Sequence, residues 1–82
     1  MKQLWYFFSE WCQPCKTLSP IMDSLQRQGI PINKLNTDYT PDVVTKYNVR
    51  SVPTVILVEN GAEVRRFVGV KSVNEILNFY NG

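Results

Sequence analysis

The chain contains no histidine and only two cysteines, Cys12 and Cys15, among its 82 residues. A closed structural zinc site needs four ligands, and one cysteine pair without an imidazole supplies half of them, so a metal site would require a dimer or additional carboxylates. Charge excess is also lacking. Nine basic residues against seven acidic ones leave a net charge of +2, and Arg65-Arg66 is the only adjacent basic pair. The electrostatic footprint of a nucleic-acid or membrane-surface protein is therefore missing. Long apolar runs are absent too, since nothing approaches the ~18 consecutive apolar residues that cross a bilayer. The opening Met1-Lys2-Gln3-Leu4-Trp5-Tyr6-Phe7-Phe8 is apolar over too short a stretch for a signal peptide. It runs into Ser9-Glu10 instead of a small-residue cleavage site. With no linker, repeat or low-complexity tract, residues 1–82 read as one domain, expected to be a cytoplasmic monomer. A chain this short hides about 60–65% of its extended surface on folding, and its aromatic and aliphatic content suffices for one core.

What is present alternates in period. Leu4 to Phe8 is an unbroken apolar run, as in a central strand covered on both faces. Leu18, Ile21, Met22 and Leu25 then fall at helical spacing. Gly29 suits the end of that helix and Pro31 follows it, while Pro20 lies inside and should kink it. Ile30 to Asn36 reads as a short strand. Thr40 caps a short helix with Pro41 in its first position, and Val43, Val44 and Tyr47 form its buried stripe. Thr54 to Glu59 is a β-branched strand, Asn60-Gly61 a hairpin turn, and Val64 to Val68 its partner. Arg65 and Arg66 interrupt that partner, as expected on the exposed face of an edge strand. Ser72 caps a last helix buried through Ile76, Leu77 and Tyr80. The order β-α-β-α-β-β-α makes the first two strands parallel with a right-handed crossover and the last two an antiparallel hairpin. The fold class is thus α/β, a mixed four-stranded sheet with helices on both faces.

The cysteines sit in Glu10-Trp11-Cys12-Gln13-Pro14-Cys15-Lys16, where a strand gives way to a helix. The first amides of a helix lack internal partners, and the aligned peptides place partial positive charge there. A thiolate at Cys12 is stabilised by that field, so its pKa should fall below the ordinary ~8.5. Cys15 lies one turn further in, on the same side, within disulfide reach, and is expected to be less exposed and less acidic. Pro14 stiffens the intervening turn and has no N–H to leave unpaired. Such asymmetry suits dithiol exchange: Cys12 attacks a foreign disulfide and Cys15 resolves the mixed intermediate. A purely structural disulfide closing so small a loop would constrain the unfolded chain little. In the cytoplasm, moreover, structural disulfides are rare. A C-x-x-C within a βαβ context is a redox signature.

Trp11-Cys12-Gln13-Pro14-Cys15-Lys16 resembles the W-C-G-P-C-K motif of thioredoxins. Tyr47-Asn48-Val49-Arg50-Ser51-Val52-Pro53-Thr54 is similar to their Y-x-[IV]-x-[SG]-[IV]-P-T segment. Pro20, the stretch Lys34-Leu35-Asn36-Thr37-Asp38, the turn Glu59-Asn60-Gly61 and Val68-Gly69 also match in order, so the resemblance spans nearly the whole chain. It implies a minimal thioredoxin-like fold and a protein-disulfide reductase whose only cofactor is its own Cys12–Cys15 couple. Pro53 would be the family's cis-proline, leaving the Val52 backbone free to pair with a substrate segment. Trp11, Val52, Pro53 and Gly69 would surround the Cys12 sulfur. A fall in the Cys12 pKa to ~7, the figure of thioredoxins in general, would ionise about half of the thiol at neutral pH.

Three departures from the family pattern are visible. Only eleven residues precede Cys12 here, so no counterpart of the family's opening strand and helix is expected in this stretch, and its size is closer to a glutaredoxin. Tyr6 stands where relatives carry a buried aspartate that handles protons for the resolving thiol. A phenol of pKa ~10 is a poor base, and a slower or differently pH-dependent resolution by Cys15 follows. Gln13 replaces a glycine between the cysteines, a position that tunes redox poise. Lys34 corresponds to a lysine beneath the active site in relatives and reads equally as a solvated strand-end charge. Protein disulfides are the expected substrates, with a thioredoxin reductase or glutathione as electron donor. The alternatives are a glutathione-coupled glutaredoxin-like reductase, a binding subunit of a larger enzyme in which the thiols matter little, and, more weakly, a metal relay.

Overall fold

Alternation along the central strands sorts the apolar residues into two cores. A computed structural model describes residues 1–82. Its elements are β1 (Lys2–Phe8), α1 (Gln13–Arg27), β2 (Ile32–Asn36), α2 (Pro41–Lys46), β3 (Thr54–Glu59), β4 (Ala62–Val68) and α3 (Val73–Asn81). The sheet order is β2-β1-β3-β4, with β1 parallel to β2 and antiparallel to β3, and β3 antiparallel to β4. Successive strand side chains point to opposite faces. Leu4 and Tyr6 of β1, Val55 and Leu57 of β3 and Phe67 of β4 share one face, where Leu18, Met22 and Leu25 of α1 and Ile76 of α3 close over them. Phe7, Ile56 and Val58 face the other way and pack with Val49 beneath Val43, Val44 and Tyr47. The expected mixed sheet with helices on both faces is therefore observed.

Local chemistry explains where the elements depart from expectation. The second strand begins at Ile32, not Ile30, because the Ile30 N–H donates to Leu25 O (3.2 Å) and completes the exit from α1. Gly29, at φ +99°, makes the left-handed step there that an L side chain resists. Thr40 does precede α2, yet its hydroxyl donates to Asn36 O (2.9 Å) instead of capping the helix. The stripe on α2 is half-buried, and the fully covered place on that face goes to Val49. The hairpin partner starts at Ala62, two residues earlier than expected, with Asn60 and Gly61 both at positive φ in the turn.

Arg65 and Arg66 correct the expectation of a solvated edge face. As neighbours on β4 they point to opposite faces, and both are half-buried. Arg65 donates to the Phe79 carbonyl at 2.7 and 3.1 Å, and Arg66 to the Tyr47 carbonyl at 2.7 Å. Each guanidinium thus meets the carbonyl-rich, partially negative end of a helix, α3 on one face and α2 on the other. Arg66 is further held by Glu63, whose carboxyl it pulls below the usual range through hydrogen bonding.

Candidate functional site

Four segments meet at one end of the sheet because of its register. Phe7 pairs with Thr54, Thr54 with Val68, and Phe8 with Asn36. The connection from β1 to α1, the residues before β3, the residues after β4 and the turn after β2 therefore share that end. Cys12, Pro53, Gly69 and Thr37 come from these four segments.

Cys12 is the N-cap of α1, extended at φ −87° and ψ 114°, and its Sγ accepts the Cys15 N–H at 3.2 Å. No acidic residue occupies the first turn of α1 to offset the positive end of the helix. Pro14 lies in that turn, and Gln13 between the cysteines is exposed. Cys12 and Cys15 are joined as a disulfide with their Cα atoms 5.2 Å apart. The difference in exposure expected between them is slight, 4% against 2%. What distinguishes them in this state is the amide aimed at Cys12.

The Val52–Pro53 peptide is cis, as the resemblance implied, and Pro53 is buried. Gly69, at φ +95°, donates its N–H to the Pro53 carbonyl at 3.0 Å, which ties the residues after β4 to those before β3. No backbone hydrogen bond of the chain engages Val52. Trp11 is 71% exposed. It lines, with Val52, Val49 and Arg50, a cleft of about 190 Å³. The structure thus brings Trp11 together with Val52, and Pro53 with Gly69.

Tyr6 is fully buried beneath α1. Its hydroxyl lies 2.7 Å from Ser19 Oγ and donates to the Cys15 carbonyl at 3.3 Å. Burial, the largest cause, raises the phenol's pKa above its ordinary value; the Ser19 hydrogen bond opposes that rise and the charge of Asp23 adds to it. Tyr6 is accordingly a neutral hydroxyl at any pH near 7. Lys34, opposite Tyr6 in the β1–β2 register, forms an ion pair with Asp23 of α1 at the surface. It is neither buried under the cysteines nor a free strand-end charge.

Sequence reasoning missed a second cleft, of about 410 Å³, on the α1 side of the cysteines. Ser9, Glu10, Cys15, Lys16, Ser19 and Asp23 line it. The spacing of Cys15, Ser19 and Asp23, at i, i+4 and i+8, was the available signal that the three share one helix face. No cluster of three or more histidine, cysteine or acidic residues could hold a metal ion, and no helix is long and apolar enough to cross a membrane.

Comparison with known proteins agrees with this geometry. The thioredoxin family model matches residues 2–81. The chain is 42% identical over 77 residues to a thioredoxin of Chlamydia caviae, a match covering 92% of this chain and 76% of that one. It is 35% identical over 78 residues to a thioredoxin of Rickettsia felis, covering 92% and 74%. Among solved structures, a mutant thioredoxin from Halobacterium salinarum superimposes with a TM-score of 0.91 at 28% identity, over 98% of this chain and 72% of that one. A malaria-parasite thioredoxin-2, described as a component of protein secretion machinery, gives 0.91 at 31% identity, over 99% and 82%. The family match over nearly the whole chain, with relatives of 35–42% identity and superimposing folds, settles the membership: the chain belongs to the thioredoxin family of thiol–disulfide oxidoreductases.

Proposed function

We propose that residues 1–82 act as one unit, a monomeric cytoplasmic reductase of protein disulfides that takes its electrons from a thioredoxin reductase and not from glutathione. The Cys12 Sγ at the head of α1, with the Cys15 N–H directed at it, is the observation that carries this reading. In the reduced protein the same amide and the free N–H groups of the first turn favour the Cys12 thiolate. That thiolate attacks one sulfur of the target disulfide and releases the other as a thiolate. Cys15, deprotonated, then attacks Cys12 Sγ, re-forming the Cys12–Cys15 bond and freeing the target's second thiolate. Two electrons pass to the target, and both released thiolates take protons from solvent.

Trp11, Val52, Pro53 and Gly69 form the surface that receives the target. The unengaged N–H and C=O of Val52 can pair with an extended target segment as an added strand would, and exposed Trp11 offers apolar contact beside it. Gln13 and Pro14 shape the turn between the cysteines. Supplying either NADPH with thioredoxin reductase or glutathione, and following reduction of a disulfide-bonded protein, tests the assignment of donor. Turnover with the reductase and little with glutathione is expected. The reverse would make the protein glutaredoxin-like. Unimpaired partner function after replacing both cysteines by serine would mark it as a binding subunit.

A further inference from the structure

Resolution requires Cys15 to lose a proton. An ordinary thiol, of pKa ~8.5, is mostly protonated at neutral pH. Cys15 is 2% exposed, so bulk water does not reach it freely. The neighbouring hydroxyl of Tyr6 is no acceptor, since it is occupied by Ser19 and the Cys15 carbonyl. On the α1 side, however, Cys15 borders the 410 Å³ cleft, which has room for several waters at about 30 Å³ each. Ser9, 2% exposed, also lines that cleft, and its Oγ is buried with no hydrogen-bond partner in the chain. A buried hydroxyl of this kind is ordinarily satisfied, by water when not by protein. Ser19 follows one helical turn beyond Cys15, its hydroxyl held by Tyr6, and Asp23 one turn beyond Ser19.

We propose that this cleft is the proton exit of the resolving thiol, with Ser19 beside the water path and the Asp23 carboxylate accepting the proton. In the step itself the Cys15 S–H bond breaks and its proton passes through water to Asp23. The sulfur's electron pair forms the bond to Cys12 Sγ, and the Cys12–target S–S bond breaks with release of the target thiolate. Asp23 then returns the proton to that thiolate or to solvent. The charged and titratable groups around Asp23 are Lys34 on β2, paired with it, Tyr6 on β1, and Lys16 and Glu10 on the rim of the cleft. Asp23 thus acts as a base through water, placed on the helix where the strand position holds a phenol.

This inference rests on the dithiol reading above, and one experiment separates the two. Reduced protein mixed with a chromophoric aromatic disulfide, dithionitrobenzoate, releases one thionitrobenzoate when Cys12 attacks and a second when Cys15 resolves. Between pH 5.5 and 9, Asp23→Asn should leave the first burst within about twofold and slow the second about tenfold near pH 7, less than the ~10²–10⁴-fold of a directly placed general base because water in the cleft remains as an acceptor. The gap should narrow at alkaline pH, and Asp23→Glu should restore most of the rate. The sign is diagnostic. A carboxylate acting only through its charge keeps a nearby thiol protonated, so neutralising it would speed the second burst. A second burst that is unchanged or faster in Asp23→Asn overturns the proposal, as does slowing in Glu10→Gln but not in Asp23→Asn. A wild-type protein giving no first burst would overturn the dithiol reading as well.

Discussion

Tyr6 places a single polar atom in the core beneath the cysteines. Its ring fills the α1 side of the sheet, stacked on Phe8 at 5.3 Å, and only its hydroxyl is polar. That hydroxyl holds Ser19 and the Cys15 carbonyl, so Tyr6→Phe should cost about 1 kcal/mol at pH 7, the net worth of an intramolecular hydrogen bond. Burial raises the folded-state pKa of the phenol. The stability it contributes is therefore fully present below the unfolded value of ~10 and is lost as pH rises through the folded value. Urea midpoints of wild type and Tyr6→Phe should differ at pH 7 and converge at strongly alkaline pH. A constant gap would contradict the assignment. Tyr6→Asp should change the pH dependence of the Cys15 step, because it puts a carboxyl against the Cys15 backbone; identical profiles would refute a role for this position in resolution. The identity of residue 6 was legible in the sequence, but its bond to Ser19 was not, because the two lie on separate elements that only packing brings together.

Elements are held at their ends as much as by their faces. Ser72 accepts the Glu75 N–H at 3.2 Å while the Glu75 carboxylate accepts the Ser72 N–H at 3.0 Å, a reciprocal cap that starts α3. Those hydrogen bonds are also what holds the Glu75 pKa low. Ser72→Ala should destabilise the protein by about 1 kcal/mol, read as a lower denaturant midpoint with an unchanged slope. A midpoint equal to wild type would show that the cap adds nothing to what the buried face and Arg65 already hold. The caps and turns at Ser72, Gly29 and Asn60-Gly61 could be read from the sequence because each is chemistry local to a few residues. The anchoring of α3 and α2 by Arg65 and Arg66 could not. It joins residues 14 and 19 positions apart, and a charged pair on an edge strand ordinarily faces water.

Over the whole molecule, the strand register puts the active-site loop and the cis-proline loop at the same end, and the core beneath α1 keeps them there. Leu18, fully buried one turn beyond Cys15, belongs to the core cluster that residues of β1, β3 and α3 share. Leu18→Ala should cost about 2–5 kcal/mol, a large share of the roughly 5–15 kcal/mol typical of domain stability. A loss below about 1 kcal/mol on chemical denaturation would mean that α1 is held chiefly by something other than this core. The order of elements along the chain was legible at this scale because the period changed at each boundary, but the antiparallel pairing of β1 with β3 was not. The two clefts were not, since each is walled by residues from separate parts of the chain that only the register brings together.

The account depends above all on the Cys12 sulfur being ionised by the head of α1. Alkylation of the reduced protein by iodoacetamide, quantified separately at Cys12 and Cys15 across pH 5 to 10, measures this directly. Cys12 should react with a midpoint near ~7, the value of thioredoxins in general, and Cys15 only at higher pH. Equal and slow reaction of both sulfurs, with midpoints near ~8.5, would contradict it.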